Sequence, residues 1–110
     1  MVTADLLADL RKRFPDAAVE QYEFYPPFFE GDGSETLARL AAAVEAVSGR
    51  PAMFTSAPWA ANAGILQHVT GQSCVVFGPG DIAQAHTVDE WIEWRQVEIA
   101  AEIYERLLTT

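Results

Sequence analysis

Residues 73–91 carry the strongest structural signal in the chain. Their sequence is Ser-Cys-Val-Val-Phe-Gly-Pro-Gly-Asp-Ile-Ala-Gln-Ala-His-Thr-Val-Asp-Glu-Trp. The apolar run at 73–77 is typical of a strand buried on both faces of a sheet. The glycines and proline at 78–80 predict a tight turn directly after that strand. Ligands in α/β proteins gather just beyond the carboxyl ends of parallel strands, so His86 is well placed to bind a metal or transfer a proton.

Helix and strand signals alternate through the rest of the chain. Apolar residues at helical spacing predict four helices, over residues 3–14, 34–48, 60–68 and 95–108. Residues 18–25 and 51–54 predict two further strands. The order α-β-α-β-α-β-α predicts an α/β fold with a small, mostly parallel sheet. Three strands would leave two open edges, so we expect something to cover them.

Local signals predict how several helices begin and which faces they bury. Asp32 and Glu35 have the spacing of a capping box, and so do Thr87 and Glu90. Thr3 is the expected N-cap of the first helix. The last helix is expected to carry an apolar stripe made of Val97, Ala100, Ala101, Tyr104 and Leu108.

Composition excludes several classes of partner and location. The 110 residues include 16 acidic and 7 basic side chains, which gives a net charge of −9. Nucleic acids and anionic membranes would repel such a chain, so neither is an expected partner. Cys74 is the single cysteine, and no apolar stretch approaches the roughly 20 residues of a membrane span. With no signal peptide apparent, the predicted location is the cytoplasm.

The two histidines invite different interpretations. His68 lies near the end of a predicted helix with no polar cluster around it, which favours a structural or surface role. His86 follows the glycine-rich turn and is a candidate metal ligand. A single loop histidine is more often not a ligand, because zinc needs three or four protein ligands. Residue type and position alone therefore leave the role of His86 open.

The whole run from Cys74 to Trp91 resembles a long and specific family motif. It is similar to the C-terminal signature of the acetylornithine deacetylase, succinyl-diaminopimelate desuccinylase and aminoacylase family. Enzymes of that family are dinuclear zinc hydrolases that cleave N-acyl amino acids and short peptides. The resemblance implies that residues 1–30 correspond to the end of a lid domain and residues 31–110 to the C-terminal part of the catalytic domain of a larger zinc-hydrolase fold.

The resemblance also implies roles for four residues. His86 matches the histidine that ligates one of the two zinc ions in the family. Gly78, Pro79 and Gly80 match the loop beside the substrate carboxylate. No counterpart is found for the family's remaining zinc ligands or its general base, so no residue of this chain is predicted to be catalytic. The chain also has Ala61-Asn62 where the family usually has Thr-Asp, a loss of a hydroxyl and a carboxylate.

Three interpretations remain open from the sequence. The chain could be one piece of a split or truncated zinc amidohydrolase, completed by a second chain that carries the other ligands. It could be a non-catalytic binding or scaffold module derived from that family. It could also be a fragment of an ordinary member. Because one imidazole cannot hold zinc alone, we expect the chain to be inactive alone, and we expect self-association or a partner chain.

Overall fold

The computed structural model describes residues 3–110, and the side chains from residue 4 onward. Four α-helices account for the regular structure of this part: α1 (Thr3–Arg13), α2 (Glu35–Ser48), α3 (Asn62–Thr70) and α4 (Trp94–Thr109). A single 3-10 turn spans Ile82–Gln84. All four helices were predicted from the apolar spacing, with bounds that differ by two residues or fewer. The predicted capping role of the Thr3 side chain lies outside the described residues.

The predicted α/β sheet is absent from the described part of the chain, and this prediction is wrong. Residues 18–25, 51–54 and 73–77 are not helical, yet none of residues 3–110 is in a β-strand. No backbone hydrogen bond joins one of these three segments to another. A strand exists only where a neighbour satisfies its N–H and C=O groups. The apolar patterns are real, but the segments have no pairing partners among the described residues.

The core lies between α2 and α4, which are the two helices that pack against each other within residues 3–110. Its buried side chains are Leu40, Ala43, Ala100 and Ile103. Half-buried apolar residues surround it, namely Val44, Val47, Val75, Phe77, Ile99 and Leu107. At the far end of the pair, the Arg39 guanidinium donates a 2.9 Å hydrogen bond to the Leu107 carbonyl. Residues 73–80 pack against this helix pair, through Val75 and Phe77 in particular.

The ends of the helices depart from the predicted caps in two places. Ser34, not Asp32, caps α2, and its hydroxyl accepts a 3.4 Å hydrogen bond from the Leu37 amide. No helix begins at Thr87, whose hydroxyl instead donates to the Gln84 carbonyl at 2.7 Å. The capping-box spacing recurs in turns because the same short side chains satisfy turn backbone groups.

The buried stripe of α4 is rotated from the predicted one. The side chains facing α2 are at positions 99, 100, 103 and 107, whereas Leu108 is 84% exposed. Of the predicted positions, Ala100 is buried, and the Tyr104 ring is 41% exposed but contacts Phe77. The error arises because α4 has apolar residues on more than half of its circumference, so several stripes fit the same spacing.

The described chain is open in shape. Its Cα radius of gyration is 18.3 Å, whereas a compact domain of this length has about 13 Å. Its accessible surface is 9043 Å², whereas a compact chain of 12.1 kDa exposes about 6000 Å². Many large apolar side chains are therefore in contact with solvent, including Tyr22 (95% exposed) and Met53 (92% exposed). No helix among residues 3–110 is long and apolar enough to cross a membrane.

Candidate functional site

The loop that carries His86 is a compact, locally bonded unit. Asp81 begins it, because its carboxylate accepts a 2.9 Å hydrogen bond from the Ala83 amide and its carbonyl accepts one from Gln84 at 2.9 Å. The Thr87 hydroxyl closes it by donating to the Gln84 carbonyl. His86 is exposed and has a backbone φ of 59°, which is unusual for a residue other than glycine. The loop thus presents the imidazole to solvent from a defined turn.

The Gly-Pro-Gly turn before this loop rests against the first turns of α4. The Gly80 amide donates a 2.9 Å hydrogen bond to the side-chain carbonyl of Gln96. Gly80 has a φ of 98°, and a side chain there would meet Ile92 at 3.4 Å. A small cleft of about 190 Å³ lies between the turn and α4. The positive φ favours glycine at position 80, because other residues rarely adopt this backbone conformation.

Residue 77, just before the turn, is held by a second contact from α4. The Tyr104 hydroxyl donates a 2.7 Å hydrogen bond to the Phe77 carbonyl. The two rings meet edge to face, with centroids 5.6 Å apart and an interplanar angle of 73°. Such a pair stabilises the contact beyond simple burial of area. The end of the 73–77 segment is therefore fixed on the helix pair.

The start of the 73–77 segment is held by Glu30, which lies in the linker of residues 26–33 before α2. The Glu30 carboxylate accepts hydrogen bonds from the Cys74 amide (2.8 Å), the Ser73 hydroxyl (2.7 Å) and the Gln67 side-chain amide (2.8 Å). The Ser73 hydroxyl, followed by the Cys74 amide, holds the pKa of Glu30 below its usual value. Hydrogen bonds donated to a carboxylate favour its charged form. Three remote parts of the chain thus meet at one half-buried carboxylate.

Ala61 and Asn62 lie at the beginning of α3, and Ala61 lines an apolar groove beside α2. Ala61 is the N-cap residue and provides no side-chain hydrogen bond to the helix. Helix α3 packs on the linker, where Gly64 lies so close to the Pro26 carbonyl that a side chain would overlap it. No hydrogen bond within the described residues joins the start of α3 to the His86 loop. The structure therefore does not bring Ala61 and Asn62 together with the other predicted site residues through direct bonding.

A large apolar groove of about 710 Å³ opens between α2 and two non-helical segments. One wall is α2, and the others are residues 52–57 and 74–77. Aromatic and aliphatic side chains dominate the lining, among them Phe28, Phe54, Trp59, Val76 and Phe77. The groove therefore exposes apolar side chains to solvent.

A metal ion does not fit the donor groups of the described residues. No three His, Cys, Asp or Glu side chains among residues 3–110 converge on one point. A zinc ion needs three or four protein ligands. The exposed imidazole of His86 is thus a single donor, with no second or third ligand beside it among the described residues.

Comparison with known proteins agrees with the motif in residues 74–91. The sequence profile of peptidase family M20/M25/M40 matches residues 9–110. The chain belongs to this family. The resemblance to the deacetylase and aminoacylase group is therefore confirmed, and the M20/M25/M40 family is generally metal-dependent.

One curated relative is similar to a short segment of the chain. The chain is 45% identical over 38 residues to an N-acetyl-L-citrulline deacetylase of Xanthomonas campestris pv. campestris. That alignment covers 34% of this chain and 10% of the relative, so the chain matches about a tenth of the relative's length. No solved structure matches the chain significantly.

Three residues of this M20 chain that organise the site region were not predicted from its sequence. They are Glu30, Gln96 and Tyr104, and each bonds to a residue at least 16 positions away. Tyr104 was assigned to an apolar stripe by its ring, which hid the role of its hydroxyl. Glu30 follows two phenylalanines in the linker, and a charged residue in such an apolar setting is the one signal that could have indicated a hydrogen-bonding partner.

Proposed function

We propose that this chain is the C-terminal piece of a metal-dependent amidohydrolase that acts on N-acyl amino acids or short peptides. It acts only when a second chain supplies the other ligands and the general base. The observation that carries the proposal is the His86 loop, whose turn is bonded to α4 and whose imidazole is exposed at its tip. Family membership and the deacetylase relative support the reaction class.

The role of this chain would be to present one ligand and to shape one wall of the substrate site. His86 would offer a ring nitrogen to a zinc ion whose other ligands come from outside residues 1–110. The bound zinc would supply a Lewis acid and an activated water. Gly78 and Pro79 would border the substrate carboxylate. The Gly80 amide is already bonded to Gln96, so it is not a free donor for that carboxylate.

The open surface of the chain supports the need for a partner. The apolar groove beside α2 and the exposed Met53 and Trp59 would be covered by the complementing chain or by a second copy. Exposed apolar area of this extent favours association in water. A complete enzyme would form only where the covering chain also carries metal ligands.

A second candidate function is a binding or scaffold module without catalysis. The observation in its favour is the start of α3, where Ala61 and Asn62 replace the family's hydroxyl and carboxylate and leave the helix without a side-chain cap. In that case the chain would use the same apolar groove to bind its partner. The His86 loop would then bind no metal and take no part in hydrolysis.

Complementation separates the two functions. The chain would be combined with a separately produced N-terminal portion of the deacetylase relative, and zinc content and hydrolysis of N-acetyl amino acids would be measured. We expect the isolated chain neither to contain zinc nor to hydrolyse these substrates, and we expect the complex to do both. His86→Ala should abolish hydrolysis by the complex, whereas the matched control His68→Ala, an exposed histidine on α3, should not.

The other outcomes are equally informative. Zinc binding and hydrolysis by the isolated chain would overturn the requirement for a partner. A stable complex that contains no zinc and hydrolyses nothing would favour the scaffold function.

A further inference from the structure

We propose that Gln96 is the positioning residue of the His86 loop. By holding the Gly80 amide on α4, its side chain sets the point from which the loop departs and thereby the place where the imidazole is presented. The consequence for metal binding rests on the proposed function. The positioning itself is a property of this chain and can be measured without a metal.

Residues 81–87 form one internally bonded unit. Five hydrogen bonds close this segment on itself, from the amides of Ala83, Gln84, Ala85 and Thr87 and from the hydroxyl of Thr87. A segment with this many internal bonds turns about its ends more easily than it bends within. The orientation of His86 therefore depends on how the ends of the unit are attached.

The N-terminal end of this unit is attached to α4 through Gly80. Within the part of the chain that the structure describes, the Gly80–Gln96 bond is the hydrogen bond that joins residues 78–90 to a helix. The side chain of Gln96 projects from the first turn of α4, the helix that also forms the core through Ala100 and Ile103. A rigid support of this kind is what precise placement of a ligand requires.

Apolar packing alone does not define the Gly-Pro-Gly turn. Gly78, Pro79 and Gly80 are all exposed, and Ile92 is itself 43% exposed. Glycine adopts positive and negative φ values with similar ease, so the backbone alone does not fix the φ of 98° at Gly80. The Gln96 carbonyl selects the conformation in which the Gly80 amide points at α4.

The test compares two variants of the full chain by NMR. Gln96→Met removes the acceptor at nearly constant shape, and Gln96→Glu keeps a carbonyl-type oxygen in its place. We expect Gln96→Met to accelerate exchange of the Gly80 amide about 5- to 10-fold, as loss of one hydrogen bond would do. The His86 ring resonances should shift with it, while those of Leu40 and Ile103 stay unchanged. Gln96→Glu should restore both the Gly80 and the His86 signals.

A control variant tests whether the effect on His86 is specific to position 96. Gln72→Met makes the same chemical change at another exposed glutamine and should leave His86 unaffected. Unchanged His86 resonances in Gln96→Met, or a Gln96→Glu variant that behaves like Gln96→Met, would overturn the proposal.

A titration provides the test should Gln96→Met lose the core resonances. Protonation of the new carboxyl in Gln96→Glu weakens its acceptor, so Gly80 and His86 should then shift together in an acid step that the unsubstituted chain lacks. Independent shifts would contradict the proposal. Because none of these measurements uses zinc or substrate, positioning by Gln96 can stand even if complementation yields no hydrolysis.

Discussion

The Glu30 carboxylate accepts a 2.8 Å hydrogen bond from the backbone amide of Cys74, a residue 44 positions further along the chain. The same oxygen accepts a bond from Gln67, and the second oxygen accepts one from Ser73. The linker, α3 and the 73–77 segment are thereby joined at one side chain. The arrangement of these three segments depends on the charge of Glu30, so we expect the stability of the fold to depend on pH.

We expect the contribution of Glu30 to stability to disappear in acid. Its pKa is lowered in the folded chain, so the contribution is fully present above the ordinary carboxyl value of 4.5 and is lost as the pH falls through the lower folded value. Glu30→Gln should lower the free energy of unfolding at pH 7 and remove this acid-dependent loss. Urea unfolding followed by circular dichroism between pH 7 and pH 3 measures both. Glu23→Gln, at an exposed glutamate, is the control, and an equal response from the two variants would contradict the role of Glu30.

Gly64→Ala should loosen α3 from the linker. An alanine methyl group would overlap the Pro26 carbonyl oxygen, and overpacking of this kind costs about 1–3 kcal/mol. The better helix propensity of alanine returns about 1 kcal/mol. The overlapped atom belongs to the backbone and cannot move aside easily, so the clash prevails and the free energy of unfolding should fall by up to about 2 kcal/mol. Gly33→Ala, where nothing lies within 4 Å, should be close to neutral, and a stabilised Gly64→Ala chain would show that the contact is not formed.

Leu40→Ala should abolish most helical structure of the isolated chain. Leu40 is 3% exposed and belongs to a small core, and truncation of such a leucine costs about 2–5 kcal/mol. A core of so few buried residues leaves little stability to lose. The ellipticity at 222 nm reports the helices. Leu108→Ala, the same change at a residue that is 84% exposed, should retain the signal. Equal losses in the two variants would place the core elsewhere.

Met53→Asp should reduce association without unfolding the chain. Met53 is 92% exposed and lines the apolar groove, so a carboxylate there would have to be desolvated in any complex. We expect the unsubstituted chain to elute above 12.1 kDa in size-exclusion chromatography with light scattering, and Met53→Asp to shift toward the monomer. Val88→Asp is the control, because Val88 is fully exposed but does not line the groove. A monomeric unsubstituted chain at high concentration would refute the expected self-association.

Local signals explain the part of the fold that could be predicted. Glycine at positions 49 and 71 adopts left-handed conformations at the ends of α2 and α3, as its lack of a side chain allows. The apolar spacing located all four helices because each helix satisfies its backbone hydrogen bonds within its own segment. The family was likewise evident from the contiguous motif ending at Trp91.

The strands and the supporting contacts depended on residues far apart in the chain. Residues 73–77 have the composition of a buried strand, but a strand forms only beside another, and none of the described segments provides one. No periodicity marks Gln96 as the partner of Gly80 or Glu30 as the partner of Cys74, because such bonds depend on how helices and loops pack. The sequence by itself determined the helices, the family and the candidate ligand His86. The tertiary structure decided which segments remain unpaired and which side chains hold the loop, since backbone pairing and remote hydrogen bonds need partners that local sequence does not specify.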